Sequence, residues 1–449
     1  MAGHIYNELI ISFTDNNENG IEYEADITAE NIVQESMKLT QSICDESYLK
    51  FGGCIASEFS IDLLSTNERI FTQSLVGRWI SVKLIKHTVS NRPIYPSNTL
   101  YPSNTLSPGY EPDETTYYIF SGFIKSAKLS ENDMNIRTVI AYDALALLYE
   151  ADATNYIYQT FLGTSGGELA TTLGYILDSI RGKTNNGIID IIPDSTGSSA
   201  LSNRFLSDFY TSNNLRHRVT SFPNQNSTWN ENDNKISFGN LLKDLCEVVA
   251  VFGIMTPDSG KGKFKMIDLS GTPIVYDFYE KLQSEEYIAT GYTELKFNIY
   301  TGDTARNGKN TLSGGIPKAY DGAVDKYYDF TDNVLINQPY NVVGGSRTTT
   351  HFEALINTSN IGYRIAMNPE NGDCAFSSYR PLKATVEGTP EQIVGKPITI
   401  LRNKTNPDGS YQLDGNGDII KESINSYVFK RTLSGIQALT DTIEVKGQR

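Results

Sequence analysis

Residues 427–449 of the chain have the sequence YVFKRTLSGIQALTDTIEVKGQR. It reads as a basic, amphipathic strand, a tight turn at Ser434–Gly435 and a second strand. None of its residue types forms a pattern typical of an active site. The stretch therefore predicts a β-hairpin, and it raises the question of which part of the chain this hairpin completes.

The length and composition of the chain limit the number and the type of its domains. The chain has 449 residues, more than one ordinary core accommodates, so two to four domains are expected. Apolar residues make up 39% and aromatic residues 11%, with 27 Tyr and 19 Phe, which is enough to bury a core. The excess of Tyr and Asn favours β-structure with long surface loops.

The charge is acidic and unevenly distributed. The net charge is −15, and residues 1–50 carry −8 of it, with ten acidic and two basic side chains. This balance argues against a nucleic-acid-binding surface, which needs clustered Lys and Arg. It suits a surface that DNA passes without binding, and ordinary solubility charge is the alternative.

Targeting signals and metal-binding spacings are missing from the sequence. MAGHIYNELIISFTD has no basic n-region, and no stretch approaches the roughly 20 apolar residues of a membrane span. Cys44, Cys54, Cys246 and Cys374 have no zinc spacing, and we expect reduced, mostly buried thiols. Cys44 and Cys54 are close enough in sequence to meet across a hairpin. We expect a soluble protein made in a cytoplasm.

The first 150 residues read as strands joined by turns. WISVKLIK (79–86) and EFSIDLL (58–64) alternate apolar and polar residues, and 117–129 with 135–144 predict a hairpin. The hexapeptide YPSNTL is duplicated in tandem at 95–106, where regular proline predicts an exposed loop. We interpret this duplication as a tolerated insertion, with a contact role as the alternative.

The middle of the chain predicts helices. Apolar residues at helical spacing predict one helix over 164–180 and a second over 237–253, with Gly253 as its stop. A long polar stretch, 195–234, separates them, and 264–449 returns to short strands. The pattern as a whole is mainly β with an α+β middle.

Catalytic patterns are weak. GTSGG (163–167) matches the nucleophile elbow of hydrolases, but Ser165 with Glu168 fits a helix capping box better. Only four His occur, at 4, 87, 217 and 351, without metal-ligand spacing, and His217 reads as part of a basic loop. Paired carboxylates of a glycosidase are not singled out. We predict no catalytic, cofactor-binding or metal-binding residue, and thus no enzyme.

DGNGD (414–418) places Asp414, Asn416 and Asp418 at alternate positions, as calcium loops do. An EF-hand also needs Gly at its sixth position and Glu at its twelfth, where this chain has Ile419 and Asn425. The stretch therefore predicts a polar hairpin tip.

Several blocks resemble tail-tip hub proteins of bacteriophages that infect Firmicutes. The closing hairpin has the aromatic strand, the Arg-Thr-Leu and the Gly turn of that family. Further blocks follow in the family's order, at 30–63, 120–152, 236–253 and 379–400. Within them, Asp143 of AYD reads as a helix cap, and the glycines of FSG and FGG as tight backbone turns. This chain departs at Lys396, where the family commonly has Asp, and in its long polar middle.

The resemblance implies two tail-tube-like β-barrels with a smaller α/β domain between them, assembling as a trimeric ring. It divides the chain into a first barrel (1–150), a helix-containing middle (151–295) and a second β-rich barrel (296–449). These borders are approximate, since an N-terminal strand can complete a barrel with strands of the second half.

The implied function is a structural hub at the distal end of a phage or phage-like tail, located in the virion and assembled in the bacterial cytoplasm. Three chains would adapt the sixfold tube to a threefold tip around a DNA channel. The implied partners are two further copies, a tail-tube or distal tail protein, the tape-measure protein and other tail-tip or receptor-binding proteins. The alternatives are a cell-wall hydrolase and a host-glycan binder that uses the Tyr-rich loop at 95–106.

Overall fold

The computed structural model describes residues 4–14, 23–43, 52–64, 74–89, 113–131, 133–153, 190–192, 237–248, 252–267, 272–278, 294–301, 304–311, 327–329 and 382–445. Several sequence predictions lie outside these residues. They are the helix at 164–180 with Ser165, the tandem hexapeptide at 95–106, the polar stretch at 195–234, His217, His351, Cys44 and Cys374.

Strands dominate the described residues. Those of the first half are β1 (His4–Thr14), β2 (Tyr23–Ile27), β3 (Lys38–Ser42), β4 (Gly53–Cys54), β5 (Glu58–Leu64), β6 (Trp79–Val89), β7 (Asp113–Leu129), β8 (Ile136–Tyr142) and β9 (Asp190–Ile192). Those that follow are β10 (Phe252–Thr256), β11 (Lys263–Ile267), β12 (Ile274–Phe278), β13 (Glu294–Thr301), β14 (Thr304–Thr311), β15 (Tyr327–Asp329), β16 (Leu382–Glu387), β17 (Pro397–Asn403), β18 (Lys421–Tyr427), β19 (Lys430–Ser434) and β20 (Thr440–Val445).

Helices are few in the same residues. They are a 3-10 helix at Ala29–Asn31 and two α-helices, α1 (Leu145–Glu150) and α2 (Phe238–Val248). The chain is therefore mainly β, as the sequence predicts.

One ten-stranded sheet joins the beginning and the end of the chain. Its strand order is β16-β20-β19-β3-β5-β8-β7-β6-β1-β2. The predicted closing hairpin is confirmed as β19 and β20, which pair antiparallel. Strands of the predicted first and last domains thus share one sheet.

Alternating apolar side chains place the core on one side of this sheet. Ile80, Val82 and Leu84 of β6 are buried, as are the alternate apolar residues of β5, which confirms both predicted strands. A single cluster of buried residues collects side chains from β1, β2, β3, β5, β6, β7, β8 and β19. Because strands as far apart in the order as β19 and β2 contribute to one cluster, the sheet curves around its core.

The curved sheet is open. Its end strands, β2 and β16, are not hydrogen-bonded to each other in the described part of the chain. Two closed barrels and a trimeric ring thus stay predictions.

Three smaller sheets accompany the large one. Their strand orders are β4-β10-β11-β9, β12-β17-β18 and β14-β13-β15. The sequence block at 379–400 contains β16 and the start of β17, which lie in different sheets. β16 pairs with β20 in the large sheet, whereas β17 pairs with β12 and β18.

Two predicted glycine roles are wrong because of close packing. Gly253 does not stop α2 but lies in β10, where an added Cβ would be 2.2 Å from Cζ of Phe264. Gly122 of FSG lies in strand β7 rather than in a turn, and an added Cβ there would be 2.2 Å from the carbonyl oxygen of Tyr142. In FGG, Gly52 lies in a bend, and Gly53 lies in strand β4 with a φ of 147°.

Candidate functional site: the junction between the two ends of the chain

The closing hairpin fills the gap between strands from opposite ends of the chain. β19 pairs antiparallel with β3 on one side and with β20 on the other, and β20 then pairs with β16. We call the hairpin, its connecting turn (435–439) and the residues that hold it the hairpin junction. This junction is the described site at which the two ends of the chain meet.

Glu35 holds the turn of the hairpin. Its carboxylate accepts hydrogen bonds from the backbone N–H groups of Ile436, at 2.8 Å, and Gln437, at 3.0 Å. Glu35 has a φ of 59°, a left-handed conformation that non-glycine residues rarely adopt. Two charge-assisted hydrogen bonds of the carboxylate offset that strain. The turn is thereby fixed to the segment that precedes β3.

Asn7 of β1 holds the same turn from the other direction. Its Nδ2 donates to the carbonyl oxygen of Ile436 at 2.9 Å, and Nε2 of Gln437 donates back to the carbonyl oxygen of Asn7. Asn7 is buried on the same face of β1 as Leu9, the next core residue of that strand. The turn therefore covers one end of the core and links β19 to a strand far from it in the sheet order.

Arg431 and Asp441 form a buried ion pair inside the hairpin. Nε of Arg431 donates to Oδ1 of Asp441 at 2.6 Å, and Nη2 donates to Oδ2 at 3.0 Å. Both side chains are almost completely buried, at 1% and 0% exposure. Burial raises the pKa of Asp441, although the Arg431 charge and hydrogen bonds act to lower it.

The same guanidinium ties a third segment to the hairpin. Its Nη1 donates to the carbonyl oxygen of Glu391 at 2.6 Å, and Nη2 donates to that of Thr389. The backbone N–H of Thr389 donates in turn to Oδ2 of Asp441 at 3.0 Å. Arg431 is thus satisfied by carboxylate and backbone acceptors, as a buried guanidinium must be. It positions the segment that leads from β16 to β17.

A loop of the four-stranded sheet docks on the outer face of the large sheet. The Ser81 and Ser121 hydroxyls donate to the carbonyl oxygen of Asp258, at 3.1 and 2.6 Å. Lys261 of the same loop lies 5.0 Å from the ring centroid of Trp79, within range of a cation–π contact. Ser81 is buried for this reason, although strand alternation assigns it to the polar face.

Asp143 was predicted to cap α1, but the N-cap residue is Ala144, and Asp143 holds the start of the helix from the position before it. Its Oδ1 accepts a hydrogen bond from the backbone N–H of Leu145 at 3.0 Å, and its Oδ2 accepts one from that of Ser57 at 2.7 Å. Burial raises the pKa of Asp143 to about 7, against the lowering effect of these hydrogen bonds. The side chain holds the helix start against the strand that begins at Glu58.

The raised pKa of Asp143 predicts a pH dependence of stability. Between the ordinary pKa of 3.8 and about 7, the unfolded chain loses this proton while the folded chain keeps it. Stability should therefore fall as the pH rises through that window, by at most about 1.4 kcal/mol per pH unit. Urea unfolding between pH 4 and 8 should show a steeper fall in the native protein than in Asp143→Asn, to which the raised pKa of Asp441 still contributes.

A control for this slope is Asp62→Asn, which removes a partly exposed carboxylate that accepts a hydrogen bond from Thr138. That variant should keep the slope. An equal slope in Asp143→Asn would assign the pH dependence to other groups.

Asp414, Asn416 and Asp418 form a hairpin tip, as predicted. Leu413 and Ile419 are bridged antiparallel, and Oδ1 of Asp414 accepts the backbone N–H groups of Asn416 and Asp418. These hydrogen bonds lower the pKa of Asp414. Across the described ranges, no three His, Cys, Asp or Glu side chains converge as metal ligands.

Two of the predicted thiols lie in the part of the chain that the structure describes. Cys54 and Cys246 are buried free thiols, and Sγ of Cys54 is 3.9 Å from the hydroxyl of Tyr149. Burial raises the pKa of Cys246, which disfavours the reactive thiolate. Of the helices that the structure describes, none is long and apolar enough to cross a membrane.

No protein-family model and no curated protein matches the chain. Solved structures similar to it include a tail protein from Neisseria meningitidis MC58, with 9% identity, a TM-score of 0.44 and coverage of 98% of this chain and 96% of that one. Another is a 43 kDa tail protein of prophage MuSo2 from Shewanella oneidensis, with 11% identity, a TM-score of 0.45 and 98% coverage of both chains. A third is a prophage tail protein from Listeria monocytogenes EGD-e, with 10% identity, a TM-score of 0.43 and coverage of 98% and 95%. Scores this low establish neither a shared fold nor a shared function.

The residues that hold the hairpin junction are ones that sequence reasoning missed. Glu35, Arg431 and Asp441 read as ordinary polar residues of strands and turns. A signal was present for two of them, since Arg431 and Asp441 flank a hairpin turn at positions that face apolar neighbours on both strands. Nothing in the local sequence marks Glu35 or Asn7.

Proposed function

We propose that the chain is the structural hub at the distal end of a phage or phage-like tail, without catalytic activity of its own. Three copies form a ring that adapts the sixfold tail tube to a threefold tip. The ring contacts the tube or distal tail protein on one side and tip or receptor-binding proteins on the other. DNA passes through its channel, and the acidic surface limits binding to it.

The observation that carries this proposal is the convergence of the hub-like sequence blocks. These blocks lie at 30–63, 120–152, 236–253, 379–400 and 427–447, far apart in the chain. Four of them supply β3, β5, β7, β8, β16, β19 and β20, which are seven of the ten strands of the large sheet. The block at 236–253 supplies α2 and the start of β10, which pairs with β4 of the first block. Most of the resemblance thus converges on the large sheet, which supports the proposal.

The hairpin junction gives the proposal a physical basis. Hub rings transmit load between a tube and a tip, so each subunit needs an undivided framework. Here a buried ion pair and the clamp on the turn bind the two chain ends into one sheet. The contacts that the described residues make are those of a framework rather than those of a reaction centre.

The mass in solution and negative-stain imaging of the purified chain test the proposal. We expect a threefold ring of about three times the 49.8 kDa of one chain. A chain that stays monomeric, also after mixing with tail-tube protein, would contradict the hub assignment. Degradation of purified peptidoglycan would instead support the hydrolase alternative. Loss of cell adsorption on deletion of 95–106, with particles intact, would support the glycan binder.

A further inference from the structure

His87 of β6 has a carboxylate beside each of its two ring nitrogens. Nε2 is 3.2 Å from Oε2 of Glu8 on β1, and Nδ1 is 3.3 Å from Oε1 of Glu114 on β7. The ring also stacks on Tyr6 of β1, with the centroids 4.3 Å apart and the planes within 9°. His87 is 5% exposed, so bulk water does not replace these neighbours.

A neutral imidazole does not fit this environment. It carries one N–H and one lone pair, so it can donate to Glu8 or to Glu114 but not to both. Its lone pair then faces a carboxylate. Nδ1 is in fact buried without a hydrogen bond to any described atom, although Glu114 is within ion-pair distance. An imidazolium donates from both nitrogens and removes this conflict.

We propose that Glu8, His87 and Glu114 form a proton-dependent clasp that fastens β1, β6 and β7 together when the imidazole is protonated. The groups that face the ring are the two carboxylates and the phenol ring of Tyr6, from the strands on either side. Lys86, which precedes His87 in β6, lies on the opposite face of the sheet because side chains alternate along a strand. With the proton, one cation lies between two anions. Without it, no cation of the described residues lies between the two carboxylates.

The clasp lies at the strand ends from which residues 90–112 connect β6 to β7. His87 lies two residues before the end of β6 at Val89, and Glu114 is the second residue of β7. These two strand ends flank residues 90–112, which contain the duplicated hexapeptide. Acid therefore tightens, and alkali loosens, the base from which this insertion leaves the sheet.

Two measurements on the full chain test the clasp. The first is ¹⁵N NMR of the ring nitrogens, in which comparison with His87→Gln assigns the signal among the four His. Across a pH series, the form with a proton on each nitrogen should be seen towards acid and the form with one proton towards alkali. The second is amide hydrogen exchange at 113–116, corrected for the intrinsic effect of pH. Exchange there should be about threefold slower at the acid end of the same pH series, as expected for partly exposed ion pairs.

Glu114→Gln is the decisive variant, because its side chain is half exposed and the stacked ring stays in place. It should lose most of the pH effect on exchange. Glu150→Gln is the matched control, since that exposed carboxylate faces Lys125 instead of a histidine, and it should keep the effect. An equal pH effect in the native protein and Glu114→Gln, or a pH series in which the ring never carries two protons, would overturn the proposal.

Discussion

Replacing Arg431 with Met is expected to lower the free energy of unfolding by about 3–5 kcal/mol. The substitution leaves the carboxylate of Asp441, which is 0% exposed, without its cation. The carbonyl oxygens of Thr389 and Glu391 also lose their donor. Urea unfolding measures the loss, and the fluorescence of Trp79 reports on it because β6 belongs to the same sheet.

Two control variants show how much of the loss in unfolding free energy comes from the buried ion pair. Lys383→Met removes a half-exposed lysine whose Nζ is 3.7 Å from Oε1 of Glu444 on the same hairpin, and it should cost no more than about 1 kcal/mol. The double variant Arg431→Met with Asp441→Leu leaves no uncompensated charge, so it should be more stable than Arg431→Met alone. Equal losses for Arg431→Met and Lys383→Met would show that the buried pair does not hold the hairpin.

The second large effect is expected for Gly122→Ala, with a loss of about 3 kcal/mol. An added Cβ would lie 2.2 Å from the carbonyl oxygen of Tyr142 and 2.6 Å from Cζ of Phe120. The first of these atoms belongs to the backbone of the strand that follows, and it cannot rotate away. β7 and β8 must therefore separate at their pairing near Phe123. The same urea unfolding experiment measures the loss.

Gly415→Ala is the matched control for Gly122→Ala. A Cβ at Gly415 meets nothing within 4 Å, so this variant should stay within about 0.5 kcal/mol of the native protein. If Gly122→Ala were equally mild, the close approach of β7 and β8 would not constrain the sheet.

Local patterns predicted the elements of this fold. Alternation identified β5 and β6, turn residues identified the hairpin tip at Asp414, and the aspartate of AYD marked the start of α1 to within one residue. Each of these signals depends on residues close in sequence, so a single stretch contains all the information. The resemblance to tail-tip hubs added the order of the blocks but not their contacts.

The pairing of strands that are distant in sequence could not be predicted from the local sequence. The pairing of β19 with β3 joins residues almost 400 positions apart, and nothing in either strand specifies the other. The predicted role of Gly253 was wrong for a related reason. A side chain at this position would clash with the ring of Phe264, which lies on another strand. Buried polar groups such as Asp441 read as surface residues until their partners are placed. Both kinds of error come from tertiary neighbours that the local sequence does not contain.

The place of β19 beside β3 sets the order in which the chain can mature during translation. β3 leaves the ribosome about 20 to 80 seconds before β19, at the usual rate of synthesis. Until then β3 can pair with β5, but the edge that β19 later covers stays open and is a natural target for chaperones. β19 thus completes a core most of whose strands are made much earlier, and a chain without β19 has an unfinished sheet.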